Sequence, residues 1–266
     1  MGNHKLVGIL GTETASQTQE LTAAFANKGA EVILIDPKRL VSSVPNGKVC
    51  ATMKNSPSIS MNDLDALLIR ALPGGSLEQV IYRLDALHYL ENAGLPIINS
   101  PSVMEKTVDK FLTTALLSEA GLPVPRTLVT ERFNDAMEVV EAWGDVVVKP
   151  VFGSLGKGIV RVDDLDIAHR VFRSLEMGRY IYYLQEYLPH NNVDYRLFVI
   201  GGQIIGAMKR HGDSWKTNIS IGAKAESFEP NAELAALAIK ATQVLSGDYL
   251  GVDILLSEGK YYIIEV

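Results

Sequence analysis

Two acidic residues interrupt apolar stretches near the end of the sequence. Asp253 lies within residues 251–256, and Glu265 lies within residues 261–266. A carboxylate buried among apolar side chains is unfavourable unless it is paired or bound to a metal ion. A three-residue turn at 258–260 would place the two carboxylates directly opposite each other, whereas a two-residue turn would place them on opposite faces. Opposed carboxylates predict a shared Mg²⁺, which prefers oxygen ligands and nucleotide phosphates; two acids exposed at a sheet edge are the alternative.

Lys149 ends the apolar run 146–148 and comes just before a glycine-rich loop. The residues of this loop that could hold an anion are Gly153, Ser154, Gly156, Lys157 and Gly158. The loop differs from a Walker A motif, because a strand rather than a helix follows it and Gly158 stands where Ser or Thr is needed. Between two antiparallel strands it would act as a flap, with backbone amides and Lys157 over an anionic ligand. An ordinary flexible hairpin is the alternative.

A second polar stretch ends an apolar strand at Gln185, Glu186, Tyr187 and Leu188. Glu186 and the backbone of the residues that follow it could read the edge of a purine in an adenine slot. The alternative is a strand that simply runs out to the protein surface.

Gly201-Gly202 predicts a two-residue turn, because a type I′ turn needs positive φ at both central residues. In that register Asp194 faces Lys209, and Arg196 lies two residues further along on the same face of the sheet. Together with Arg210, which follows Lys209 in sequence, these side chains could form a wall that contacts phosphates. An exposed ladder of ion pairs, each of small energetic value, is the alternative.

Short apolar runs alternate with amphipathic stretches over residues 1–101, which predicts a parallel sheet with helices on both faces. Residues 102–188 alternate again around the glycine loop, and residues 189–266 are rich in strands. The first strand is not followed by Gly-x-Gly-x-x-Gly, which argues against a nicotinamide-dependent dehydrogenase. Arg70 ends a predicted strand at the carboxyl edge of the first sheet and is a candidate for contacting a substrate.

The composition is typical of a globular protein, with 266 residues, 47% hydrophobic and 21% charged. No segment approaches the roughly 18 consecutive apolar residues of a membrane span. The net charge of −6 argues against nucleic acid as a partner, because phosphate backbones require clustered Lys and Arg. The single cysteine, Cys50, excludes an intramolecular disulfide and predicts a cytoplasmic protein. The five histidines have no ligand-like spacing and are predicted to be structural or surface residues.

These stretches, in this order and spacing, resemble the ATP-grasp superfamily and specifically its RimK-like L-glutamate ligase family. The resemblance covers nearly the whole sequence and rests on Asp109-Lys110, 147–150 with the glycine loop, 185–187, 194–196, 216–218, 251–254 and 264–266. Within the family, residues 149–153, 158–162 and Asn218 look most like the tetrahydromethanopterin:L-glutamate ligases. The resemblance implies an ATP-grasp fold, α/β overall and α+β in the C-terminal half. It implies a pre-ATP-grasp α/β domain at 1–101, a central subdomain with the flap at 102–188, and a C-terminal subdomain with the metal site at 189–266.

For ATP, the resemblance implies contacts from many segments of the chain. The implied nucleotide-binding residues are Lys110, Lys149, Gly153, Ser154, Gly156, Lys157, Gly158, Gln185, Glu186, Tyr187, Leu188, Asp194, Lys209, Lys216, Thr217 and Asn218. Within this set, Lys110 and Lys149 would contact the phosphates, and Asp194 would hold the ribose. The adenine would be framed by residues 186–188, and residues 216 and 218 would contact the triphosphate or the acceptor.

The resemblance also implies the residues closest to the chemistry. Arg196 and Arg210 would orient carboxylate or phosphoryl groups, while Asp253 and Glu265 would bind Mg²⁺ or Mn²⁺, two ions in all. The family pattern continues after Val266 with an Asn that is a further metal ligand. Because the sequence ends at Val266, we expect a truncated chain that lacks the third ligand and the closing helix.

The implied reaction transfers the γ-phosphoryl group of ATP to a carboxylate of the acceptor, and the amine of L-glutamate then attacks the acyl phosphate. The acceptor would be a carboxylate-bearing small molecule, such as a pterin-type cofactor, or a peptide. One alternative is a glutamate ligase for a protein or peptide C-terminus, and another is an ATP-binding module without catalysis. A homo-oligomer, dimer or tetramer, is expected.

Overall fold

The computed structural model describes residues 5–44, 47–52, 58–153 and 156–266, so the predicted flap residue Ser154 lies outside the described residues. The chain divides into two compact units, Met1–Glu105 and Lys106–Val266. The three-domain division inferred from the sequence stays a prediction. Among the helices of the described residues, none has the length and apolar character needed to cross a membrane.

The first unit is built on a parallel sheet, which confirms the pairing that its strand–helix alternation predicts. The strands are β1 (Leu6–Leu10), β2 (Glu31–Ile35), β3 (Leu40–Ser43), β4 (Lys48–Ala51), β5 (Ile59–Ser60), β6 (Ala66–Ile69) and β7 (Ile97–Ile98). The helices are α1 (Ser16–Asn27) and α2 (Leu77–Asn92), and α3 (Pro101–Val108) begins in this unit and ends in the second. Strands β2, β1, β6 and β7 form the parallel sheet in that order, and β3, β4 and β5 form a small antiparallel sheet.

Apolar residues of the strands and of α2 form the core of the first unit. Leu10, Leu67 and Leu87 are fully buried in one cluster. Helix α2 begins at a capping box, in which the Ser76 hydroxyl accepts from the Gln79 amide and the Gln79 side chain accepts from the Ser76 amide. Two backbone donors that would otherwise be unpaired are thereby satisfied, and the start of the helix is fixed.

The second unit contains two antiparallel sheets. The first has the strands β8 (Thr127–Thr130), β9 (Val146–Lys149), β10 (Val160–Val162) and β11 (Tyr182–Glu186), paired in the order β10-β9-β11-β8. The helices that belong to this part of the chain are α4 (Lys110–Glu119), α5 (Phe133–Trp143) and α6 (Leu165–Met177). Val148 and Leu184 pack with α5 and α6 in a buried cluster. Because strand residues alternate, Lys149 and Gln185 face the other side of the sheet.

The second sheet of this unit follows along the chain. Its strands are β12 (Val193–Ile200), β13 (Gln203–His211), β14 (Lys224–Ser227), β15 (Tyr249–Ser257) and β16 (Lys260–Glu265), in the order β14-β13-β12-β15-β16. Helix α7 (Ala232–Leu245) contacts β12 and β15. Leu197 and Val199 of β12 are fully buried, whereas the alternate residue Arg196 points to the opposite face, towards Asp253.

The hairpin of β12 and β13 differs from the prediction beyond its turn. Gly201 and Gly202 form the turn with positive φ, and Ile200 faces Gln203 as predicted. An irregularity between Phe198 and Val199 then shifts the register by one residue, a β-bulge in which Ile205 is the extra residue. The predicted pairing of Asp194 with Lys209 is therefore wrong: Asp194 faces Arg210, and Lys209 faces Tyr195.

The hairpin of β15 and β16 reaches the predicted pairing by a different route. Its turn has two residues, Glu258 and Gly259, so the predicted three-residue turn is wrong. A bulge at Ile264 adds one residue to β16, and Asp253 consequently lies opposite Glu265, which confirms the predicted pair. Without this bulge the two-residue turn would separate the carboxylates onto opposite faces.

Candidate active site

A cleft in the second unit is lined by both of its sheets and encloses about 650 Å³, open solvent at its mouth included. The predicted residues that line it are Lys149, Gln185, Glu186, Tyr187, Leu188, Asp194, Arg210, Lys216, Thr217, Asn218, Asp253 and Glu265. The structure therefore brings together side chains from segments that are more than one hundred residues apart in sequence.

Lys149, at the end of β9, extends into the cleft and donates to the Oε1 of Gln185 at 2.6 Å. Burial lowers the pKa of Lys149 to about 8. The negative charges of Glu265 and Asp253 oppose this shift, and the positive charge of Lys110 adds to it. An ammonium that is poorly hydrated and only partly neutralised is well suited to bind an anionic ligand.

Gln185 acts on Lys149 rather than standing alone in the cleft. Its amide nitrogen donates to the Thr127 hydroxyl at 3.1 Å and approaches the Tyr183 hydroxyl at 3.5 Å. The Tyr183 hydroxyl in turn lies 3.0 Å from the Thr114 hydroxyl. Since these partners fix the orientation of the amide, its oxygen is held towards the lysine ammonium.

A network of charges occupies the cleft-facing side of the second sheet. Arg210 donates to both carboxylate oxygens of Asp194 at 2.6 and 2.5 Å, and its Nη2 lies 2.9 Å from Asp253. Asp194 also accepts from the Thr217 hydroxyl at 2.7 Å, and Arg196 donates to Asp253 at 3.1 Å. Burial alone would lower the pKa of Arg210, but the hydrogen bonds and charges of Asp194 and Asp253 outweigh it and raise the pKa. Arg210 is therefore a fixed positive charge.

Lys110 lies beside the cleft, at the start of α4. Its ammonium donates to the Gly153 carbonyl at 2.5 Å and lies 3.6 Å from Glu265. Both opposed carboxylates, Asp253 and Glu265, are thus neutralised by basic side chains in this structure. Their chemistry fits Mg²⁺, which typically takes one or two protein carboxylates and completes its shell with water and substrate phosphates. The described part of the chain holds no cluster of three or more His, Cys, Asp or Glu side chains arranged around a metal position.

The glycine loop lies against the segment that carries Lys216 and Asn218. Strands β9 and β10 on either side of the loop are antiparallel, as the flap interpretation requires. The Lys216 ammonium donates to the Ile159 carbonyl at 2.6 Å. A Cβ at Gly156 would lie only 2.4 Å from the Oδ1 of Asn218, so a larger residue there would displace the Asn218 side chain. Lys157 is exposed.

An aromatic wall closes another side of the cleft; its Tyr187 was predicted from the sequence, whereas its partners Arg161 and Trp215 were not. The guanidinium of Arg161 stacks 3.6 Å from the ring of Tyr187, and Asp145 holds it by hydrogen bonds of 2.9 and 2.6 Å. Trp215 meets Tyr187 edge to face at 6.2 Å between ring centroids. These contacts join residues from separate segments, and no spacing in the sequence indicates them.

His190, predicted to be structural or at the surface, is buried in the lining of the cleft. Its Nδ1 lies 2.7 Å from the Leu188 carbonyl, and its Nε2 lies 2.8 Å from the Trp215 carbonyl. His190 thereby links two segments that border the cleft.

Two predicted residues have partners that bear on their roles. The Glu186 carboxylate accepts from the Arg126 amide at 2.8 Å and from its Nε at 2.7 Å. Lys209 lies on the sheet face opposite Asp194, 4.0 Å from Glu226. The resemblance implies that both residues contact the nucleotide, and these contacts stay predictions. The position of Lys209, on the sheet face opposite Asp194, does not support such a contact.

Comparison with known proteins agrees with this geometry. Residues 107–266 match the family model of the RimK-like ATP-grasp domain. The tetrahydromethanopterin:alpha-L-glutamate ligase of Methanosarcina acetivorans is 32% identical, and the match covers 94% of this chain and 82% of that protein. The alpha-aminoadipate–LysW ligase LysX of Saccharolobus solfataricus is 32% identical over 66% of each chain.

Solved structures share the fold. The RimK domain ATP-grasp protein from Sphaerobacter thermophilus superposes with a TM-score of 0.75 at 21% identity, over 97% of this chain and 89% of that one. The ATP-grasp ligase PsnB in complex with a minimal precursor gives a TM-score of 0.71 at 22% identity, over 98% and 89%. The ATP-grasp fold expected from the sequence is thereby confirmed.

Proposed function

The chain belongs to the RimK-like ATP-grasp family, and from that premise we propose that it is an ATP-dependent carbon–nitrogen ligase that joins the amine of L-glutamate to a carboxylate of an acceptor. One observation carries the proposal: Lys149, Arg210 and the opposed Asp253–Glu265 pair line the same cleft. This set of two basic side chains and two carboxylates suits the transfer of a phosphoryl group, in which negative charge must be stabilised and positioned.

We assign the adenine of ATP to the wall formed by Tyr187, Leu188 and Trp215. An aromatic ring held from behind by the Arg161 guanidinium offers a rigid surface for a purine. Lys149 and Lys110 would contact the phosphates, and the glycine loop would cover them and exclude water. Exclusion of water matters because an acyl phosphate is readily hydrolysed.

We assign Mg²⁺ to Asp253 and Glu265, with Mn²⁺ as a substitute and two ions as the expected number. The metal supplies neutralisation of phosphate charge when it is bound. Arg196, whose contacts of 3.1 and 3.2 Å with Asp253 are long for a charged pair, would then be free to turn towards an anionic group of the substrate. Arg210 would keep its place, since its Nε and Nη2 donate two parallel hydrogen bonds to the carboxylate of Asp194.

The proposed reaction has two steps, phosphoryl transfer and then amide formation. An oxygen of the acceptor carboxylate attacks the γ-phosphorus, the bond to the β-phosphate oxygen breaks, and ADP leaves. The glutamate amine then attacks the acyl carbon, phosphate leaves with the bonding electrons, and the released phosphate takes up the proton that the amine loses. Lys149 and Arg210 would stabilise the charge on the moving phosphoryl group. No protein nucleophile is required.

For the acceptor, we propose a carboxylate-bearing small molecule, and we take a peptide as the second candidate. The relatives named above act on a pterin and on LysW, and PsnB was solved with a precursor peptide. We further propose a homo-oligomer, a dimer or tetramer, working in the cytoplasm. Light scattering on the purified protein measures its oligomeric state.

The ligase proposal is tested by ADP release. The proposal is supported if ADP release requires both glutamate and an acceptor and is lost in the Lys149→Ala and Asp253→Asn variants. ATP turnover that does not depend on added amine contradicts the proposal.

Mass profiling of a cell extract incubated with the protein, ATP and glutamate identifies the acceptor as the species that gains one glutamate residue. Nucleotide binding without any acyl phosphate trapped by hydroxylamine would favour a non-catalytic ATP-binding module.

A further inference from the structure

The cleft-facing side of β12 continues beyond Arg196 into an exposed apolar surface. Phe198 and Ile200 follow Arg196 on the same face, and 40% and 42% of their surfaces stay exposed. The rings of Phe198 and Tyr249 lie 6.2 Å apart. Ile205, the bulge residue of β13, is 59% exposed. Large apolar side chains therefore stay in solvent immediately beside the charged residues of the cleft.

Phe198 has a glycine opposite it on each neighbouring strand, Gly206 on β13 and Gly251 on β15. A Cβ at Gly206 would meet no atom within 4 Å, so the space beside the ring is open on that side. The Gly251 position is covered by Arg196, whose Nη2 would lie 2.7 Å from a Cβ there. We call this surface the Phe198 trough; its members are Phe198, Ile200, Ile205, Gly206 and Tyr249.

We propose that the Phe198 trough binds the planar aromatic body of the acceptor, with the acceptor carboxylate directed towards Arg196. The inference rests on the proposed function, because it names the chemical class of the acceptor in that reaction. An aromatic ring can stack on Phe198 from the Gly206 side without displacing a side chain, since a Cβ at Gly206 would meet no atom within 4 Å. Arg196 gives the end of the trough nearest the cleft a positive charge that matches a carboxylate.

The position of the trough in its sheet favours a compact aromatic acid over a peptide. An extended peptide commonly binds by adding a strand to an exposed sheet edge. Strand β12, which carries Phe198 and Ile200, pairs with β13 on one side and with β15 on the other, whereas β14 pairs with β13 only at residues 208–211. The backbone groups of β12 beneath the trough are therefore already hydrogen-bonded, and only side-chain contacts remain for a ligand that lies on Phe198.

The test measures binding of p-aminobenzoyl-L-glutamate, a planar aromatic acid, by calorimetry in the presence of Mg²⁺ and a non-hydrolysable ATP analogue. Phe198→Ala removes the stacking surface, and Gly206→Val fills the open space beside it. Each is expected to raise the dissociation constant about tenfold, which is about 1.4 kcal/mol. Phe198→Tyr, which keeps the ring, should bind as the unaltered protein does.

Two control variants separate this effect from general changes to the surface. Met177→Ala removes an apolar side chain that is 88% exposed on α6. Gly74→Val adds the same branched side chain as Gly206→Val at another glycine whose Cβ would meet no atom within 4 Å. Both controls should leave the dissociation constant unchanged.

Three results would overturn the inference: equal dissociation constants for all variants, binding of a glutamate-terminated peptide in place of the aromatic acid, or a change in oligomeric state on Phe198→Ala without loss of probe binding. The last would mean that a second copy of the chain covers the trough. Because calorimetry needs no turnover, failure of the ligase reaction with normal probe binding would contradict the proposed function alone. Glutamate-dependent ADP release with equal dissociation constants would contradict the trough alone.

Discussion

The sequence predicts that Lys149 is a functional residue, but it does not predict the pKa of its ammonium group. Its position, after three buried valines and before a glycine loop, indicates a functional lysine. Its ionisation depends on burial and on Glu265, which lies far away in sequence. Only the folded structure brings these groups together, and they place its titration within the range of enzyme assays.

We expect the affinity for ATP to fall as the pH rises through about 8. Below this pKa the Lys149 ammonium is charged and attracts phosphate, and above it the amine is neutral. At pH 9 only about a tenth of the protein would carry the charge, so the KM for ATP should rise about tenfold relative to pH 7. Lys149→Arg, which stays charged, should give a flat profile, and an equally steep profile in that variant would refute the assignment.

Arg210 and Asp194 form a buried ion pair whose disruption should destabilise the fold. Their side chains are 5% and 2% exposed. Asp194→Asn removes the carboxylate that accepts two hydrogen bonds from Arg210 and leaves Asp253, 2.9 Å from its Nη2, as the remaining charged partner. We expect a loss of about 2 kcal/mol of unfolding free energy, the usual size for a hydrogen bond to a charged group. Urea denaturation followed by tryptophan fluorescence measures it, because both tryptophans, Trp143 and Trp215, lie in the second unit.

An exposed ion pair provides the matched control for that substitution. Asp166 pairs with Arg170 one turn along α6, and both side chains are more than two-thirds exposed. Asp166→Asn should change the unfolding free energy by less than about 0.5 kcal/mol. Equal effects of the two Asp→Asn changes would show that the buried pair adds little stability.

At the scale of elements, the sequence predicts strands and turns well but predicts register poorly. Alternation and glycine pairs locate β12, β13, β15 and β16. The bulges at Ile205 and Ile264 have no such signal, because an extra isoleucine beside another isoleucine looks like ordinary strand sequence. The bulge at Ile205 makes Arg210, rather than the predicted Lys209, the partner of Asp194. The bulge at Ile264 offsets the shorter turn of the last hairpin, so that Asp253 faces Glu265 as predicted.

The flap offers a prediction that separates backbone strain from a specific contact. Gly156 and Gly158 both have positive φ, +69° and +74°, so alanine at either position is strained by about 1 kcal/mol. Only at position 156 would the new Cβ also meet Asn218, at 2.4 Å from its Oδ1. Gly156→Ala should therefore raise the KM for ATP about tenfold, while Gly158→Ala should raise it less than about threefold.

A second substitution identifies the contact responsible. Asn218→Ala removes the side chain that the new Cβ would meet, so Gly156→Ala should raise the KM by a smaller factor in the Asn218→Ala protein than in the unaltered protein. The two changes would then be non-additive, as expected for residues in contact. Additive effects would show that the flap does not need to approach Asn218.

At the scale of the molecule, the second unit assembles one cleft from several separate stretches of chain. The resemblance located most of them because each carries a short motif. Arg161, His190 and Trp215 were missed, since they act on Tyr187 and on backbone carbonyls through contacts between distant segments. Residues that hold a site in position are specified by packing, and spacing along the chain does not reveal packing.

Hydrogen exchange can test whether these stretches respond as one site. Mg²⁺ with a non-hydrolysable ATP analogue should slow exchange together in β9, β11, residues 211–218 and β15, because all four contribute to the cleft. Ligand at one hundred times its dissociation constant stabilises the bound state by about 2.7 kcal/mol, which corresponds to about a hundredfold slower exchange for amides that open only in the unbound protein. Strands β2, β3 and β4 belong to the first unit and contribute no residue to the cleft, so their exchange should stay the same. Protection confined to a single stretch would mean that the nucleotide occupies only part of the cleft, and Lys149 and Asp253 would then act on different ligands.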